Sequence, residues 1–150
     1  MAKIHKTISI HAPAARVFSV ITDPALISPL IPGVVNISDL PAGRLRRGSG
    51  FSWQYQLLGL SFHGLWVVSE IAEPNLYQSN TNGGIESQWS YSLAVRGQVT
   101  DLTLEIEFQP PDSLIKRYAV SLIEPHADNL AETYLSSLKQ FIESPAIKKE

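Results

Sequence analysis

The side chains with most to offer chemically are one carboxylate, three hydroxyls and a set of aromatics that strand alternation assigns to one sheet face. Glu70 is the single carboxylate on that face. In an apolar cavity a carboxyl pKa rises, which suits general acid or base work. A bulge or strand end would instead return it to water, and Tyr77 could partner it. Ser79, Thr81 and Ser87 share the face and could fix a ligand carbonyl or hydroxyl, or lie at the sheet's wet rim. His5, His11, His63 and His126 have no mutual spacing suited to a metal, and surface roles are expected of them. No serine–histidine–acid set can be singled out. Arg44, Arg46 and Arg47 occupy a polar loop, where solvation, gating of a pocket or contact with an anionic ligand are the alternatives.

The aromatics are Phe51, Trp53, Tyr55, Phe62, Trp66, Tyr77, Trp89 and Tyr91, with Tyr118 and Tyr134 able to join from a helix. Phe51, Trp53, Tyr55 and Leu57 alternate with polar residues. A two-residue turn at Gly59–Leu60, glycine first, sets Trp53 opposite Trp66 and Tyr55 opposite Gly64. An aromatic ring over a cross-strand glycine is a recognised packing device. The following turns set Glu70 opposite Tyr77, Tyr77 opposite Trp89 and Tyr91 opposite Leu104. All these pairings keep the apolar sets on one face, which a one-residue slip would destroy. Such a face can fill a core or line a pocket, since ligand sites are mostly apolar with a few oriented polar groups. The expected ligand-binding set is Trp53, Tyr55, Trp66, Glu70, Tyr77, Ser79, Ser87, Trp89, Tyr91 and Tyr118.

These residues need a scaffold, and 150 residues suffice for one domain with a real core. A formal charge of −2 gives no basic footprint for nucleic acid. With no cysteine there is neither a disulfide framework nor a cysteine-ligated metal site. No metal or cofactor is expected. The start lacks the apolar stretch of a signal peptide, and no run approaches a membrane span of about 20 apolar residues. A cytoplasmic protein without an integral membrane segment is the expectation, with oligomeric state, including a homodimer, left open.

The spacing predicts a strand over about 4–10, a helix over about 13–22, a second short helix after Asp23–Pro24 and a strand near 34–40. Five strands follow: the hairpin from Phe51, then 76–81, 85–95 and a last one carrying Leu102, Leu104, Ile106 and Phe108 inward. Asn82–Gly83–Gly84 is expected to be a three-residue loop. From Pro111 to Ser144 the period is helical, with one stripe of Leu114, Tyr118 and Leu122 and another of Leu130, Tyr134, Leu138 and Phe141. Pro125 should kink or split this helix. Ile147 to Glu150 is expected to be a loose tail.

The order strand, two short helices, six strands, long helix resembles the helix-grip fold of the START-like (SRPBCC) superfamily. The likeness rests on Ile8–Phe18 with Asp23–Pro24, on Pro32–Gly33–Val34, and on Gly50–Trp53, Gly59, Val68–Glu70 and Glu73–Pro74. Leu135, Leu138–Lys139 and Ile142–Glu143 extend it to the last helix, so it spans about residues 3–143. The nearest branches are the polyketide cyclase/dehydrase-like proteins and those like an accessory subunit of carbon monoxide dehydrogenase. The resemblance implies an α+β fold: a curved seven-stranded antiparallel sheet wrapped around a long C-terminal helix, with two short helices between strands 1 and 2. It also implies a cavity between sheet and helix for an apolar or aromatic small molecule.

Fold does not decide function. The leading expectation is a binding protein for a lipid- or polyketide-like small molecule. The alternatives are a cyclase or dehydratase using Glu70 or a cavity tyrosine, and an accessory subunit or maturation factor acting through its surface.

Overall fold

The computed structural model describes residues 2–144, and the tail expected over 147–150 lies outside the described residues. Seven antiparallel strands form one sheet in the order β1-β7-β6-β5-β4-β3-β2. They are β1 (Ala2–Ile10), β2 (Val34–Ser38), β3 (Gly50–Leu57), β4 (Leu60–Ala72), β5 (Leu76–Asn82), β6 (Glu86–Arg96) and β7 (Val99–Gln109). Between β1 and β2 lie α1 (Ala14–Ile21), α2 (Pro24–Ile27) and a 3-10 turn at Ser28–Leu30. After β7 come α3 (Asp112–Ile115) and the long α4 (Val120–Glu143). This is the expected helix-grip architecture. A meander wet on one side must cover its apolar face, and α4 does so. Leu135, Leu138 and Ile142 are buried with Leu102, Leu104 and Ile10. No described helix is long and apolar enough to cross a membrane.

Face assignment follows alternation, but three details differ from expectation. The β3–β4 turn is Leu58–Gly59, because Leu57 pairs with Leu60. Leu58 (φ 51°) and Gly59 (φ 84°) both take the left-handed conformation, as the type I′ turn that fits strand twist requires. The register therefore moves by two residues: Trp53 faces Gly64, Phe51 faces Trp66 and Tyr55 faces Phe62. An even shift leaves each side chain on its face. Trp53, rather than Tyr55, covers the cross-strand glycine. A β-carbon on Gly64 would lie 2.7 Å from Trp53 Cζ2 and on top of the Asn82 carbonyl.

The β5–β6 connection keeps three residues, 83–85, between the strand ends, but five, 82–86, separate the last paired residues. Thr81 pairs with Ser87, so Tyr77 faces Tyr91 and Ser79 faces Trp89. The Thr81 hydroxyl donates to the Ile85 carbonyl (2.8 Å), and the Gly83 N–H donates to the Glu86 carboxylate (3.0 Å). These bonds close the loop. Tyr91 does face Leu104.

The third difference is in the last helix. It runs unbroken through Pro125, and the chain breaks earlier, before Val120, where Ala119 is extended (φ −65°, ψ 147°). Pro125 falls in the second turn, so its missing N–H removes one internal hydrogen bond without ending the helix. Leu122, expected on the apolar stripe, is 61% exposed, and Val95 at the end of β6 is exposed as well.

Candidate functional site

A cavity of about 100 Å³ lies between the concave sheet and the first half of α4. Trp53 and Tyr55 from β3, Trp66 from β4 and Trp89 from β6 form one wall. Ala127, Leu130 and Tyr134 from α4 form the other, and Ile31 to Val34 close one side. Gly33 is what lets that turn lie so close. At φ 99° it is left-handed, and a β-carbon there would stand 2.6 Å from Tyr55 Cε1. No lining residue is charged.

The polar atoms of the wall are largely matched to one another. Trp66 Nε1 donates to Ser79 Oγ (2.6 Å), and Trp89 Nε1 donates to Ser87 Oγ (3.1 Å). Ser87 and Thr81 share a short hydroxyl contact. Thr81 uses its one hydrogen on the Ile85 carbonyl, so Ser87 must donate to Thr81. The hydroxyls thus form a one-way chain from Trp89 to Ile85. Trp53 differs from its neighbours: it is only 6% exposed, and its indole N–H has no partner.

Behind the wall, Tyr77 stacks on Tyr91, with ring centroids 5.5 Å apart. The Tyr91 and Tyr134 hydroxyls hydrogen-bond at 2.7 Å. Burial pushes the Tyr55 hydroxyl up to about 12 and the Tyr77, Tyr91 and Tyr134 hydroxyls well above their ordinary value. These tyrosines stay protonated near neutral pH and act as hydrogen-bonding groups rather than bases.

Of the residues expected at the site, the structure brings Trp53, Tyr55, Trp66, Ser87 and Trp89 onto the cavity wall. Tyr77, Ser79 and Tyr91 are buried but do not line it. Tyr118 lies outside it, donating to the Leu58 carbonyl (3.3 Å) across the β3–β4 turn. Glu70 is not on the inner face. A bulge between Val68 and Glu70 sets Glu70 opposite Gln78 and gives the place beside Tyr77 to Ile71. The Glu70 side chain is 40% exposed and accepts from Arg47 at 2.7 Å. That hydrogen bond and the Arg47 charge hold its carboxyl below the usual range, which is opposite to the rise that interior acid chemistry needs.

Arg44 pairs with Glu73 (3.3 Å). It lies on a second, wider cleft, lined also by Phe18, Thr22, Leu40 and Ile71. Two of the three loop arginines therefore have carboxylate partners on the protein. No cluster of three or more potential metal ligands occurs among the described residues. Sequence reasoning missed Ile31, Pro32 and Val34 as cavity lining. Their signal was an apolar pair flanking Pro32–Gly33, which marks a turn but not the direction it folds.

Residues 1–139 match the family described as polyketide cyclase/dehydrase and lipid transport. No curated protein matches the chain. Among solved structures, TTHA0849 from Thermus thermophilus superposes with a TM-score of 0.78 at 15% identity, over 93% of this chain and 96% of that one. The Zhui aromatase/cyclase from Streptomyces sp. R1128 gives 0.74 at 13% identity, over 94% and 93%. A START superfamily protein from Mycobacterium smegmatis gives 0.74 at 15% identity, over 95% and 98%. At such identities the likeness is one of fold.

Proposed function

Since the chain belongs to the polyketide cyclase/dehydrase and lipid transport family, we propose that it binds a small, neutral, apolar molecule between the sheet and α4. The observation that carries this reading is the cavity lining: aromatic and aliphatic, free of charge, with its hydroxyls mostly bonded to each other. Such a wall desolvates an apolar guest at little cost and repels an ion, whose transfer into an uncompensated apolar site is prohibitive. Binding is favoured over base catalysis because Glu70 pairs with Arg47 away from the cavity and the interior tyrosines hold their protons. The size of the cavity also limits the guest. A dry cavity of about 150 Å³ takes benzene, so about 100 Å³ suits one small ring. A lipid or polyketide chain enters only if the walls part.

The chain's three tryptophans all line the cavity, so its intrinsic fluorescence originates at the site. Titration with a panel of small cyclic ketones and hydrocarbons should give a saturable change in intensity or wavelength. A response that is flat or linear across the panel overturns the proposal.

A further inference from the structure

The hydrogens of the cavity wall and the acceptors available to them do not balance. Trp66 and Trp89 each donate to a serine, and Ser87 and Thr81 have each committed their single hydrogen. Among the groups that line the cavity, two buried donors remain. The Trp53 N–H is buried without a partner. The Tyr91 and Tyr134 hydroxyls bond each other once, so whichever accepts keeps a hydrogen of its own. If Tyr91 donates, that hydrogen belongs to Tyr134, which lines the cavity. A buried donor without an acceptor is costly, and more so in a low dielectric. The wall offers hydrogens and, having no cation, cannot neutralise a carboxylate.

We infer that the guest is a neutral acceptor: a compact ring bearing a carbonyl oxygen, such as a cyclic ketone or lactone, which reaches the Trp53 N–H, the Tyr134 hydroxyl or both as the wall shifts to admit it, since both groups are sealed until it does. This rests on the binding reading above and adds a polar requirement that shape and hydrophobicity do not impose. Trp53 and Tyr134 are then the residues that set specificity. Tyr91 supports Tyr134 from behind, since a hydroxyl that accepts one hydrogen bond donates another more strongly.

Cyclopentanone and methylenecyclopentane test this, because they share a shape and differ by oxygen against CH2. The affinities of both should be measured for the wild-type protein, Trp53→Phe and Tyr134→Phe, together with the indole N–H resonances. Wild type should prefer the ketone roughly tenfold, the size of one recovered buried hydrogen bond. At least one variant should lose that preference and favour the hydrocarbon, because the ketone oxygen is then buried without a donor. The ratio is taken within one protein, so a change that merely loosens the cavity weakens both ligands and leaves it unmoved. If Trp53 is the donor, its indole proton moves downfield with the ketone alone. A wild type that favours the hydrocarbon overturns the inference and leaves the binding reading standing, as does a ratio that both variants leave unchanged. Should a variant fail to fold, the wild-type ratio decides. Binding of neither compound overturns both readings.

Discussion

The two ends of α4 are held by different means. At the C-terminal end, three polar ties meet. The His11 N–H donates to the Glu143 carboxylate (2.7 Å), Lys139 donates to the Ser9 carbonyl (2.5 Å), and the Arg16 guanidinium donates to the Ile142 carbonyl (3.2 and 3.3 Å). Beneath them Leu138 and Ile142 are sealed in the core. At the N-terminal end Ile123 is sealed in the core, but Ala119 supplies no side-chain cap, Val120 and Leu122 face water, and Pro125 lacks a donor. There the ties are the ion pairs of Lys6 with Asp128 (2.7 Å) and Glu132 (3.7 Å). The cavity lies under this lightly held half, against Ala127 and Leu130. The helix is therefore a lever fixed at one end, and the end over the cavity is the one with less to lose by moving.

The sharpest way to break the contrast is to truncate one leucine at each end. Leu138→Ala should cost about 3 kcal/mol, because it empties a fully buried site, whereas Leu122→Ala should cost under about 0.5 kcal/mol. Chemical denaturation of both variants checks this; similar losses would mean that Leu122 is packed and not exposed.

A smaller effect comes from the carboxylate that anchors the fixed end. Hydrogen bonds from the His11 N–H and Lys139 lower the Glu143 carboxyl from 4.5 to about 2. A depressed pKa contributes stability that is complete above about pH 4.5 and lost as pH falls through about 2. Because the side chain is 27% exposed, screening reduces its worth to about 1 kcal/mol. Glu143→Gln should lower stability at pH 7 by that amount and flatten the acid limb between pH 4.5 and 2, as read by urea unfolding at a series of pH values. An unchanged acid limb would remove the carboxylate from the anchor.

The mildest intervention strengthens the weak end. Ala119→Asp places a capping acceptor at an exposed, extended N-cap beside the positive end of the helix. A gain of at most about 1 kcal/mol is expected, visible as a rise in Tm of a few degrees. No gain would show that the free N–H groups are already satisfied.

Much of this architecture was legible because alternation is insensitive to even errors. Two turns were misplaced by two residues of register, yet Trp53, Trp66 and Trp89 still reached the cavity. The turn itself was hidden because Leu58 adopts a left-handed conformation that leucine disfavours. The start of α4 was hidden because Ala119 lacks any capping signature, while Pro125 suggested a break that its place near the helix start made unnecessary. The direction of the hydroxyl chain was beyond reach as well, since it depends on which oxygen already has its hydrogen engaged.

The bulge in β4 amounts to a change of phase. Before it, even-numbered residues such as Trp66 and Val68 face inward; after it, the odd-numbered Ile71 does. No substitution at position 70 can therefore deliver a charge to the inner face, whatever its chemistry. An acid introduced at position 71 would stand beside Tyr77 at once. A single irregular step thus decides which face of the sheet each later residue of β4 serves.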